Sequence, residues 1–134
     1  MDVRSGLSVA VLLAAAMSLG ACGDNGKDKS KTKKAASKIS VYYYSLWKAP
    51  SADWEIRKVH PDKNYTVTVE AKITTKTLTK AVMERSKAEQ MEIARRACPP
   101  YTDPIWAEID KEQPVGIVLS GSAGHIINAL CKRP

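Results

Sequence analysis

The chain of 134 residues contains no phenylalanine, and its large rings are limited to three tryptophans and five tyrosines. A domain with so little aromatic bulk has a small stability margin and needs support from elsewhere. Only two histidines occur, His60 and His125, each isolated, and the three cysteines form no Cys-x-x-Cys. Such a set offers neither a zinc knuckle nor a dithiol redox motif, so no metal or cofactor is expected. No glycine-rich loop is built to cradle phosphate, and no acidic pair sits in a segment suggestive of glycoside hydrolysis. No internal repeat or second linker is present. Nor does any apolar run reach the roughly 20 residues needed to cross a bilayer as a helix.

The longest apolar run is Leu7 to Met17, "LSVAVLLAAAM", in which only Ser8 is polar. It follows the single basic side chain of Arg4 and leads into small residues, the pattern of a secretory signal with its short apolar centre. Residues 1–21 are therefore expected to be removed on export.

The run ends at Leu19-Gly20-Ala21-Cys22. An aliphatic residue, two small residues and a cysteine resemble the lipobox of bacterial lipoproteins, with glycine a less common choice at its position. The resemblance covers residues 1–22 and implies transfer of diacylglycerol to the Cys22 thiol and cleavage before it. It also implies acylation of the new amine, such as by palmitate. Two or more acyl chains anchor stably where one does not. Ordinary cleavage would instead leave a free thiol in an oxidising space. If the host is Gram-negative, the residue after the cysteine is Gly23 rather than Asp, which implies the periplasmic face of the outer membrane.

Residues 22–38 are expected to form a flexible basic tether. From Gly23 to Lys38 there is no large apolar side chain to bury, and six lysines stand against two aspartates. The tether thus carries more than half of the chain's net charge of +7. A solvated spacer accounts for this, and so would attraction to an anionic envelope polymer or membrane. Export removes nucleic acid from the plausible partners.

The 96 residues from Ile39 onward suffice for one small domain. With Cys22 assigned to lipid, Cys98 and Cys131 are expected to pair. Residues 65–77, "YTVTVEAKITTKT", alternate cleanly, with Tyr65, Val67, Val69, Ala71 and Ile73 on one face of a strand. Residues 54–59 read as its partner across the turn residues of "HPDKN", and the stretch from Ile39 as a further edge strand ending at Pro50. Residues 78–98 are rich in helix formers and end at Pro99-Pro100. Ala81, Ala88, Met91, Ala94 and Cys98 form a lean face suited to packing on a sheet. Residues 115–119 read as a strand; residues 124–131 fit a returning strand or a short helix, and the five-residue "SGSAG" turn favours the strand. The expected class is α+β: a small antiparallel sheet of about four strands in β-β-α-β-β order, one helix across a face and one disulfide.

Ser122 and His125 lie close in sequence but do not match the Gly-x-Ser-x-Gly elbow of a serine nucleophile. Tyr42, Tyr44, Trp47 and Trp54 are candidates for a contact surface, and Arg95 and Arg96 for an anion site or for complementing the helix dipole. The class this points to is a membrane-anchored, non-catalytic binding or adaptor module of the bacterial envelope, with an envelope protein or anionic polymer as partner. An inhibitor of a secreted or wall-degrading enzyme is the second reading. It would act through a rigid loop, "HPDKN" or "SGSAG". Mass spectrometry of the natively processed protein should return an N-terminal peptide that begins at a lipid-modified Cys22. Retention of Met1, or an unmodified Cys22, would refute the lipid anchor.

Overall fold

A computed structural model describes residues 29–134; the expected signal peptide and Cys22 lie outside the described residues. In chain order the elements are helix α1 (residues 29–45), strands β1 (Trp54–Pro61) and β2 (Val67–Ile73), and helices α2 (Lys76–Met83), α3 (Lys87–Arg95) and α4 (Ile105–Glu108). Strands β3 (Val115–Gly121) and β4 (Gly124–Leu130) close the chain. The strands lie in one sheet in the order β1-β2-β3-β4. No helix among the described residues is long and apolar enough to cross a membrane.

The fold is α+β, but the sheet is mixed rather than antiparallel. Strands β1 and β2 are antiparallel, as are β3 and β4, whereas β2 and β3 run parallel, with Val69 beside Ile117 and Ala71 beside Leu119. The reason is topological: a chain that leaves β2, crosses one face through helices and returns beside it re-enters from the same end. One helix was expected in that crossover, and three occupy it. Alternation puts Val67, Val69, Ala71 and Ile73 of β2 and Val115, Ile117 and Leu119 of β3 on one buried face. Full burial of a side chain of this size contributes about 1.5–3 kcal/mol. The opposite face carries His60, Thr68, Glu70, Lys72 and Asn128, and the His60 ring lies 3.3 Å from the Glu70 carboxylate.

The expected helix over residues 78–98 is broken in two. Ser86 caps α3 by accepting the Glu89 backbone N–H at 3.3 Å, the favoured use of serine at that position. The buried amide of Gln90 donates to the carbonyls of Val82, Met83 and Arg85 around the break. Arg85 and Glu89 form an i,i+4 ion pair on the exposed side, and Glu92 pairs with Arg95 and Lys132.

The stretch "SVYYYS", expected in an edge strand, is helical, and so are residues 29–38, expected in the tether. Thr32, Ala35, Ala36, Ile39, Tyr42 and Tyr43 are all buried. Their spacing is that of a helical stripe, whose small early members pack inward while the lysines between them stay exposed. The domain therefore begins at Thr32 rather than Ile39. The Tyr43 hydroxyl donates to the Ala97 carbonyl at 2.7 Å, and Lys38 donates to the Glu108 carbonyl at the end of α4.

The β1–β2 turn is braced by Asp62, whose carboxylate accepts the backbone N–H groups of Asn64 and Thr66 at 2.8 and 3.0 Å and the Thr68 hydroxyl at 3.3 Å. Positive φ falls on Tyr65, at 60°, rather than on Asn64. That conformation turns the Tyr65 carbonyl toward the Gln113 amide, 2.8 Å away. Tyr65 lies outside β2 and is more than one-third exposed. The β3–β4 hairpin turns on Ser122 and Ala123 alone, tighter than the five residues expected, and Gly124 supplies a φ of 123°. Gly121 is needed for another reason: a Cβ there would sit 2.4 Å from the Thr79 methyl of α2. At this close approach the Thr79 hydroxyl accepts the Ser122 backbone N–H.

Cys98 and Cys131 are joined, closing a separation of 33 residues with their Cα atoms 5.7 Å apart. The backbone N–H of Cys131 donates to the Val115 carbonyl, so the staple ties the crossover, just past α3, to the sheet. Replacing both cysteines by serine should lower the free energy of unfolding by about 3–4 kcal/mol in urea denaturation, from the loop-closure entropy restored to the unfolded chain.

Candidate functional site

A cleft of about 650 Å³ lies between α2, α3 and the segment that leads into β1. Its apolar lining includes Trp54, Leu78, Val82 and Ile93. Trp54 and Val82 belong to the buried core, and Leu78 and Ile93 pack against it, so this lining is fixed in place. Ala81 and Ala88 also line the cleft. Both are exposed rather than packed on the sheet as the lean face suggested. With only methyl groups at these two positions, the trough stays open.

Charged side chains complete the lining: Arg85, Glu89, Glu92 and Arg96. Arg85 and Glu89 neutralise each other at 3.3 Å. The Glu92 carboxylate is engaged by Arg95 and by Lys132, the latter at 3.6 Å. Among the described residues Arg96 has no carboxylate partner, and its side chain belongs to an exposed residue. The site is thus a preformed apolar trough with one unneutralised guanidinium. A volume of this size falls within the roughly 300–1,000 Å³ of ordinary ligand sites.

Of the residues singled out in the sequence, Trp54 and Arg96 meet in this cleft and the others do not. Arg95 donates through Nε to the Leu130 carbonyl at 3.0 Å and pairs with Glu92, so it fastens α3 to β4. Tyr42 and Tyr43 are both buried and pack edge to face, with ring centroids 5.1 Å apart. Trp47 is half-buried against Tyr43, with centroids 5.7 Å apart, while Tyr44 is 60% exposed on the outer side of α1. The strand alternation anticipated for this stretch fails because 3.6-residue periodicity puts Tyr42 and Tyr43, not Tyr42 and Tyr44, on the inner side. Leu78, Ala81, Ala88 and Ile93 were not anticipated as site residues. Their signal was the smallness of Ala81 and Ala88 on a helical segment otherwise rich in long side chains.

His125 and Ser122 are not joined. The His125 ring lies 2.7 Å from the Asn128 side-chain oxygen, and the Ser122 backbone is held by Thr79. Among the described residues no group of three His, Cys, Asp or Glu side chains is placed to hold a metal ion. Two smaller hollows, of about 280 and 240 Å³, lie beside Cys98 and on the polar face of the sheet beside Gly116. Scanned against protein families, curated proteins and solved structures, the chain finds no match in any of the three.

Burial, with the Asp103 carboxylate as a second cause, pushes the Tyr42 hydroxyl up to about 12. Its unfolded value is about 10. Between those values the unfolded chain releases a proton that the folded chain keeps, so the contribution is intact below pH 10 and lost as pH rises toward 12. Chemical denaturation across pH 9–12 should show stability falling over that interval, and Tyr42→Phe should make the fall shallower.

Proposed function

We propose that this chain is an exported, lipid-anchored protein of the bacterial envelope whose disulfide-stapled domain is a non-catalytic binding or adaptor module. The observation that carries the reading is the pairing of Cys98 with Cys131. Of three cysteines it leaves Cys22 alone without a partner in the chain, at the position where the lipobox-like sequence calls for acylation. A structural disulfide also suits an oxidising compartment. In a Gram-negative host the anchor would hold the domain at the periplasmic face of the outer membrane, through diacylglycerol and an amide-linked acyl chain such as palmitate. The helical cleft is the surface through which the domain would contact its partner, because its apolar lining is preformed and Arg96 carries an uncompensated charge.

One feature favours inhibition of a secreted or wall-degrading enzyme as the second reading. The "HPDKN" turn is exposed at Lys63 and Asn64 yet braced by three hydrogen bonds to Asp62, the rigidity an inhibitory loop requires. Crosslinking in cells followed by mass spectrometry tests both. Crosslinks from α2 and α3 to one dominant envelope protein support the adaptor. Crosslinks from residues 62–65 to a hydrolase support the inhibitor, and crosslinks no stronger than background refute both as protein-binding functions.

A further inference from the structure

We propose that the cleft between α2 and α3 is a binding site for a small amphiphilic anion, an aliphatic monocarboxylate. Its chain would lie along the apolar lining and its head group on Arg96. The proposal rests on the binding-module reading and gives its site a ligand chemistry.

Three observations converge on it. The trough is lined by Trp54, Leu78, Val82 and Ile93, which belong to the core or pack against it, so its apolar lining is already in place when a ligand enters. Ala81 and Ala88 are exposed alanines in the wall, where the prevailing long helix formers would close the trough. Two arginines and two glutamates line the trough, and among the described residues only Arg96 of these four forms no ion pair. Arg85 and Glu89 cancel, Glu92 is drawn to Arg95 and Lys132, and Arg96 remains. An apolar body alone would leave that guanidinium unused, and an ammonium head would meet it with repulsion. A carboxylate matches its fork of donors.

The adjacent arginines therefore divide their work. Arg95 is fixed by the Leu130 carbonyl and Glu92. Arg96, one residue and 100° further around the helix, is left for the ligand. That division explains why two arginines follow each other at the end of α3 when the dipole and the sheet contact require only one.

The test is titration calorimetry of the full chain held in phosphatidylcholine nanodiscs, with empty discs as the blank. Octanoate and octylammonium are the opposed probes. Octanoate should bind at least tenfold more tightly than octylammonium, and decanoate roughly tenfold more tightly than octanoate, from two further buried methylenes. Arg96→Gln should weaken octanoate about tenfold while leaving octylammonium unchanged or improved. Ala88→Phe should abolish both, and Ala81→Phe serves the same purpose if that variant does not fold. Equal affinity for the two head groups, octanoate binding that survives Arg96→Gln or a filled trough, or no heat above empty discs would each overturn the proposal. Failure here with a dominant crosslinked protein partner would leave the adaptor reading standing. Octanoate binding without any crosslinked protein would replace the adaptor with a carrier of small anions.

Discussion

Two parallel strands that sit side by side cannot be joined by a hairpin, because the chain must travel back the length of the sheet before it can pair again. In this domain β2 and β3 are that pair, and both are buried on the inner face along their whole length. The return path, residues 74–114, therefore has to cover that face, and α2, α3 and α4 all belong to it. The cleft follows from how the path is divided. A single straight helix over residues 78–98 would present one continuous ridge. A break at Ser86, made tolerable by the Gln90 amide, gives two short helices whose facing side chains do not fill the space between them.

The carboxyl end of the chain holds this crossover against the sheet by several different means. The disulfide joins its middle to the end of β4. Arg95 reaches the last carbonyl of the same strand. Arg133 donates to the Gln113 carbonyl at 2.8 Å and stacks its guanidinium over Trp106 at 5.0 Å, while the Trp106 indole donates to the Pro100 carbonyl. For a domain without phenylalanine, such cross-links supply what a larger aromatic core would otherwise give. Two buried polar groups in this region, Gln90 and Gln113, each spend their amide hydrogens on backbone carbonyls, so their burial carries no unpaired donor.

The sheet was legible because β-branched alternation is a strong local signal, and Val67, Val69, Ala71 and Ile73 point where the pattern puts them. Strand β4 was legible only through the short turn before it, since an apolar run of that length fits a short helix equally well. Direction was not, because pairing order and parallelism are set by the crossover and not by any one segment. The "YYY" run was misleading: three aromatic residues favour a strand on propensity, but Thr32, Ala35, Ala36 and Ile39 continue a helical stripe through it. That stripe was hidden because its early members are threonine and alanine among lysines, and low hydrophobicity resembles a disordered spacer. Ser86-x-x-Glu89 is a local helix-start pattern that marks the break in the second helix, and the capping hydrogen bond confirms its use. The cleft was legible only as a pair of alanines, and which of Arg95 and Arg96 remains available could not be read without the position of Leu130.

Were the chain pulled by its amino end, the force would enter through α1, whose buried Tyr43 hydroxyl is one of its attachments to the crossover. Its hydrogen bond ends on Ala97, the residue beside Cys98. Tension entering along the first helix therefore meets, one peptide unit later, a covalent bridge to the strand at the far side of the sheet. The load is shared across β3 and β4 through the antiparallel ladder, where many hydrogen bonds resist it at once, instead of peeling the helical layer away turn by turn. In mechanical terms the domain is clamped near the point where a leash would tug.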